Sequence, residues 1–274
     1  RAQYFETDEK GITFLERAMK FGSKFQENEN SAQVSMFGEA SNIQFPEPDI
    51  PECETWGTME LLSQEKEVIG IYISAHPLDD FKNEMTFCNA SLRHFKNDIS
   101  KYEGANLTFA AIITDVQHRV SKAGKGWAMF TMEDYGDSNE FRIFGEDYLR
   151  MKHFLTPNSF LFVRCTIQPG WTNKDGVKGE PRLKFTDFKL LHDIMDELCK
   201  KVTIKIPLQE IKEDSILNLE AILKNNPGKQ SLHFTVWDAK EKIEVNLPSR
   251  NTKVHVSNEL LATLRNQNID FKLN

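Results

Sequence analysis

Between Leu107 and His192 the chain reads as short apolar stretches of strand length, separated by turn residues. Leu107 to Val120 is apolar and β-branched, and Trp127 to Glu133 is a shorter run of the same kind. Between them lies Ser121-Lys122-Ala123-Gly124-Lys125-Gly126, so the pattern predicts a hairpin with a cationic tip. Asp134 to Ser138 is a second turn, and Asn139 to Phe144 alternates polar and apolar residues, with Phe141, Ile143 and Phe144 as anchors. Glu146 to Leu155 spaces Tyr148, Leu149, Met151, Phe154 and Leu155 as a helix does. Ser159 to Ile167 and Arg182 to Leu191 supply two further strands, joined by a loop from Gln168 to Pro181.

Three strands, a helix and two strands is the order of the OB-fold, a small five-stranded β-barrel. In that fold the loops joining strands one to two and four to five flank a ligand face on strands two and three. Both loops here carry Lys and Gly, and the second carries Trp171. Single-stranded nucleic acid asks for this combination, because cations follow the phosphates while exposed rings stack on bases at about 1–3 kcal/mol per base. The expected contacts are Lys122, Lys125, Trp127, Phe130, Arg142, Phe144, Trp171, Lys174, Lys178 and Lys184. Alternate strand residues must also fill the barrel, so Trp127, Phe130 and Phe144 are equally open to a reading as core.

Charge sharpens this picture. The chain of 274 residues has room for two or three domains and a formal net charge of −7. Residues 1 to 104 carry −9, residues 193 to 274 carry 0, and residues 105 to 192 carry +2. A surplus that small implies weak, salt-sensitive binding that needs help from partners. Cys53, Cys88, Cys165 and Cys199 are scattered without metal-ligand spacing and read as reduced thiols of a cytoplasmic protein. No apolar run reaches the length of a membrane span and no signal peptide opens the chain. An initial Arg in place of Met suggests a fragment of something longer.

The N-terminal third reads differently. Thr7-Asp8-Glu9 followed by Ile12, Phe14, Leu15, Ala18, Met19 and Phe21 predicts an acidic cap and an amphipathic helix ending near Phe25. Residues 26–55 are polar, acidic and Pro-rich and read as a mobile linker. Within it, Gln33-Val34-Ser35-Met36-Phe37 sets two apolar residues in a solvated segment, where they suit another protein's pocket. Trp56 to Ser74 resumes a helical period with Glu65, Lys66 and Glu67 on the polar side, and Pro77 is expected to end it. His76, Asp79 and Asp80 could be drawn as metal ligands, although an Asp pair capping the next helix is the plainer reading.

The run Glu65-Lys66-Glu67-Val68-Ile69-Gly70-Ile71-Tyr72-Ile73-Ser74-Ala75-His76-Pro77-Leu78-Asp79 resembles the segment preceding the OB domain in the alpha subunit of bacterial DNA polymerase III. Ala75 stands where that family more often has Gly. Gln33 to Phe37 likewise resembles the pentapeptide by which bacterial replication proteins hold the sliding clamp. The resemblance implies Gln33 at the pocket edge, Ser35 within the motif, and Met36 with Phe37 in the apolar cleft. It implies a multi-domain, mixed α/β chain: residues 1–25 as the end of the fingers and helix-hairpin-helix region, 26–55 as clamp-binding linker, and 56–104 as helical connector. Residues 105–192 would form the OB domain on single-stranded template, and 193–274 a small α+β domain that in some members docks the tau subunit of the clamp loader. The family's catalytic aspartates and their Mg ions belong to a palm domain whose motif has no counterpart here. The chain is therefore expected to be inactive alone, with no cofactor of its own.

The last third supports that α+β reading. Val202 to Ile206 alternates as a strand, Ser215 to Leu223 has helical spacing ended by Asn226-Pro227-Gly228, and Leu232 to Trp237 with Ile243 to Leu247 reads as a hairpin. Lys253 to Val256, a helix from Asn258 to Arg265 and a strand from Ile269 to Leu273 close the chain. Two rival readings stand beside the polymerase one. A free-standing OB module for RNA or tRNA leaves Gln33 to Phe37 without purpose, and an OB-containing nuclease lacks a metal-ligand cluster, a nucleophile–base pair and a P-loop. Replacing Met36 and Phe37 by Ala is expected to abolish binding to a bacterial sliding clamp in a pull-down or titration while leaving the circular dichroism spectrum intact. Retained affinity would make the motif incidental.

Overall fold

The computed structural model describes residues 2–34, 47–97, 99–170 and 179–274. It divides into two compact units, Arg1–His76 and Pro77–Asn274. In the first, helix α1 spans Phe14–Val34. Its start is fixed by Thr13, whose hydroxyl accepts from the Glu16 N–H while the Glu16 carboxylate accepts from the Thr13 N–H, both at 3.2 Å. This reciprocal capping box displaces the expected cap at Thr7 to Glu9. Asp8 instead accepts from the backbone N–H groups of Ile12 and Lys10 at 3.0 and 2.9 Å. The Ile12 N–H is the main cause of a carboxyl held below its ordinary range. The helix also runs beyond Phe25 to Val34, into the first part of the stretch expected to be linker.

Helix α2, Thr58–Ile69, ends at Gly70 in the left-handed conformation (φ 85°), so the terminator is this glycine and not Pro77. Glu65, expected to face solvent, is buried. Its carboxylate accepts from the Ile73 and Ser74 N–H groups at 3.1 and 2.9 Å and from the Ser74 hydroxyl. The extended segment after Gly70 is therefore tied back to the helix by one carboxylate. Val68, Ile69, Ile71 and Ile73, expected as an apolar face, are exposed in this unit.

The second unit holds two sheets. Strands β1 (Asn106–Val120), β2 (Gly126–Glu133), β3 (Ser138–Phe144), β4 (Phe160–Gln168) and β5 (Arg182–Leu190) pair antiparallel in the order β3-β2-β1-β4-β5. The expected barrel does not close: among the described residues β3 and β5 remain edges without a shared ladder. Aromatic packing crosses the seam instead. Phe141 of β3 meets Phe185 of β5 at 5.4 Å between ring centroids, and Phe130 of β2 touches Phe141, Phe185 and Phe188 at 6.0, 5.7 and 6.3 Å. The β2–β3 turn is held by buried Asp134, which accepts from the N–H groups of Gly136 and Asp137, and at 2.7 Å from that of Leu92, just before the short helix α3 (Arg93–Asn97). Between β3 and β4 lies α4 (Gly145–Met151), continued by a 3₁₀ turn to Phe154.

After α5 (Leu191–Leu198) the second sheet has the order β8-β7-β6-β9. Strand β6 (Lys201–Pro207) pairs parallel with β7 (Pro227–Asp238), joined through α6 (Glu213–Lys224), the crossover that parallel strands require. Strand β8 (Ile243–Val254) absorbs the expected separate strand at Lys253, while β9 (Asp270–Leu273) follows α7 (Asn258–Asn266). The segment after Pro77 links the two sheets. Leu78 joins Ala110, Phe162, Leu191 and Ile194 in one buried cluster, while buried Asn83 and Glu84 are bonded to Asn258 at 2.6 and 2.9 Å and Arg265 donates to Asn83. Asp79 pairs with Lys82 at 2.7 Å and accepts from the Tyr135 hydroxyl, and the described residues include no cluster able to hold a metal ion. Phe130→Ala removes the ring central to the seam and is expected to cost about 3–5 kcal/mol in urea unfolding; a loss under about 1 kcal/mol would show that the seam does not depend on it.

Candidate nucleic-acid interface

Strand parity decides which nominated residues can meet a ligand. Phe130 has 0% exposure and Ala128, Met132 and Ile143 are buried beside it, so these positions face the core. Their neighbours in register point the other way. Trp127 lies opposite Phe144, and Met129 opposite Arg142. Phe130 is therefore withdrawn from the interface: it lies three residues from Trp127, an odd separation that puts the two on opposite faces of a regular strand. Phe144 is 57% exposed and its ring lies 5.3 Å from that of Trp127 with 21° between planes, a stacked pair at the surface.

The register extends the row onto the third strand. Arg119 of β1 pairs with Trp127, and its guanidinium lies 5.8 Å from the centre of the indole. Arg119, Trp127 and Phe144 thus stand side by side across three strands. Immediately beyond them is the β1–β2 turn. Ser121 organises it: its N–H donates to the Lys125 carbonyl, its carbonyl accepts from Gly124, and its hydroxyl accepts from the Lys125 N–H. Gly124 takes φ 74° there. The Lys122 and Lys125 side chains are left exposed beside the ring row.

A second layer supports the same end of the sheet. Tyr148 of α4 packs so closely on Gly126 that an added Cβ would lie 2.7 Å from its ring. His118 joins β1 to α4, with Nδ1 3.1 Å from the Tyr148 hydroxyl and Nε2 3.2 Å from the Leu155 carbonyl. A carbonyl only accepts, so Nε2 is the donor to Leu155, and in the neutral imidazole Nδ1 accepts from the tyrosine hydroxyl.

The remaining nominees divide. Arg142 is exposed on the face of the rings but is ion-paired with Glu140 at 3.0 Å, which offsets its charge. Lys184 is exposed on β5 opposite Thr166, whose other partner is Asn106, so the register places it at the far end of β1 from Arg119. Trp171, Lys174 and Lys178 lie outside the described residues, as do Ser35, Met36 and Phe37 of the pentapeptide, while Gln33 falls within α1. Sequence reasoning missed Arg119, His118 and Tyr148. The signal for Arg119 was available, since a hairpin through Ser121 to Lys125 sets it opposite Trp127. Burial pushes the Cys88 and Cys165 thiols up to about 12 and also raises Cys199.

Comparison with known proteins points in one direction. Residues 202–274 match the family model described as DNA polymerase III alpha subunit, C-terminal domain. The DNA polymerase III subunit alpha of Bacillus subtilis is 23% identical over 72% of this chain and 17% of the relative. That of Thermus aquaticus is 21% identical over 82% and 17%, and that of Pseudomonas fluorescens 21% over 93% and 21%. A solved structure described as a putative nucleic acid-binding lipoprotein from Klebsiella pneumoniae is 16% identical, covers 40% of this chain and 86% of that one, and has a TM-score of 0.24, too slight a likeness to bear on the fold. The family model and these relatives name the same DNA polymerase subunit. Residues 202–274 are thus similar to the C-terminal domain of the DNA polymerase III alpha subunit, and most of the chain is similar at low identity to sequences of that subunit. The chain spans about a fifth of the length of these curated relatives. Among the described residues no helix is long and apolar enough to cross a membrane.

Because Phe144 is exposed, Phe144→Ala is expected to change unfolding free energy by less than about 1 kcal/mol in a urea titration. A loss comparable to that of a buried phenylalanine would mean that this ring belongs to the core.

Proposed function

We propose that this chain is a non-catalytic part of a replicative DNA polymerase, holding single-stranded template on the outer face of its five-stranded sheet. The observation that carries this reading is the row of Arg119, Trp127 and Phe144 beside the exposed Lys122 and Lys125, in a chain related to a DNA polymerase subunit. Rings in a row accept bases of any identity by stacking, and flanking cations follow the phosphates, so sequence preference should be slight. The strand order β3-β2-β1-β4-β5, with α4 between β3 and β4, supports reading residues 105–192 as an OB-type domain whose seam is packed by phenylalanines.

The finer assignments rest on the sequence. Gln33 to Phe37 is the proposed attachment to the sliding clamp, and the α+β domain from residue 193 is the proposed dock for the tau subunit of the clamp loader. Polymerisation and its Mg ions are assigned to a domain outside this chain, and the setting is the bacterial cytoplasm. The experiment is equilibrium binding of the chain to a labelled oligothymidylate across a salt series. Lys122 and Lys125 changed together to Glu should weaken binding and flatten the slope of log K against log salt. An unchanged slope and affinity would place the DNA contact elsewhere. Tighter binding to an equivalent oligoribonucleotide than to DNA would favour an RNA-binding module.

A further inference from the structure

The outward face of β1 carries three polar residues at alternate positions, Asp115, Gln117 and Arg119, and they are bonded to one another. The Arg119 Nη2 donates to the Gln117 Oε1 at 2.6 Å, and the Gln117 Nε2 reaches the Asp115 Oδ2 at 3.5 Å. Such a relay fixes the direction of the guanidinium, which then lies over the indole of Trp127. Arg119 and Arg142 differ in the charge of the group each contacts. Arg142 donates to a carboxylate, Glu140, whereas the hydrogen-bond partner of Arg119 is a neutral amide. The relay orients the cation through a neutral amide, and its one carboxylate, Asp115, bonds the amide and not the guanidinium.

We infer that Arg119 is a nucleic-acid-binding residue that takes the phosphate of a nucleotide whose base stacks on the Trp127–Phe144 pair, and that Gln117 is its positioning residue. The inference rests on the proposed function and sharpens it by assigning the principal charge contact to a strand residue, where sequence reasoning expected loop lysines and Arg142. Geometry favours the assignment. Arg119 is in register with both rings, so a base on the rings brings its own backbone beside the guanidinium. A planar fork is also the donor suited to two phosphate oxygens at once. Holding that fork in place through Gln117 lowers the rotamer entropy lost on binding.

The test compares the full chain with Arg119→Ala, Arg119→Lys, Gln117→Ala and the double Gln117→Ala/Arg119→Ala variant, using a labelled oligothymidylate across a salt series. Arg119→Ala should weaken binding about tenfold and lower the salt slope by about one counterion. Arg119→Lys should keep the slope and recover only part of the affinity. Gln117→Ala should weaken binding several-fold with the slope unchanged, because the charge stays while its orientation is lost. The double variant should bind no worse than Arg119→Ala alone, since Gln117 acts only through the arginine. Both positions are at the surface, and matched urea midpoints would exclude a folding defect. Wild-type binding with Arg119→Ala within twofold would overturn the inference and leave the proposed function standing. Additive losses in the double variant would overturn the positioning role of Gln117, and absence of wild-type binding to the oligonucleotide would overturn both inference and function.

Discussion

The placement of Phe130 in the core is the constraint on which the five-stranded sheet and its candidate site both depend. Its ring contacts Phe141, Phe185 and Phe188, and so brings β3 and β5 together where no ladder joins them. The same burial sets parity. With Phe130 inward, Trp127 must face outward, and the register then aligns it with Phe144 and Arg119. A slip of one residue would exchange the faces, burying the cations and exposing the core rings, which is why packing specifies this register strongly. Core and candidate interface are therefore two sides of one alternation.

Much of this was legible in the sequence. The five strands and the helix between the third and fourth follow from apolar periodicity and turn residues, and their extents agree closely with β1 to β5 and α4. The α+β order of the last third is equally visible, because alternation and helical spacing are strong there. The errors have local physical causes. A capping box at Thr13 and Glu16 outweighs the acidic run before it, and a left-handed Gly70 ends α2 before Pro77 can. Glu65 sits in a run of charges that looks solvated, yet its carboxylate is buried against the backbone of a segment nine residues on. Closure of a barrel cannot be read from strand count, since it depends on how two edge strands meet.

The candidate site was half legible. Turn composition located Lys122 and Lys125, and ring content located Trp127 and Phe144. Listing Trp127 and Phe130 together ignored their odd spacing, which a strand forbids on one face. Charge was the other blind spot. Residues 105–192 have a surplus of only two, but what matters is which cations near the rings are paired with a carboxylate, and a sequence does not show that Arg142 is matched by Glu140 while Arg119 is held by an amide. This arrangement lets a chain of net charge −7 present a local cationic edge.

Hydrogen exchange of the chain with and without a saturating single-stranded oligonucleotide is the most direct measure of where nucleic acid lies. The account predicts protection concentrated in the end of β1, the β1–β2 turn and the facing ends of β2 and β3, from Gln117 to Phe144. Protection confined to the four-stranded sheet, with none in this stretch, would contradict it.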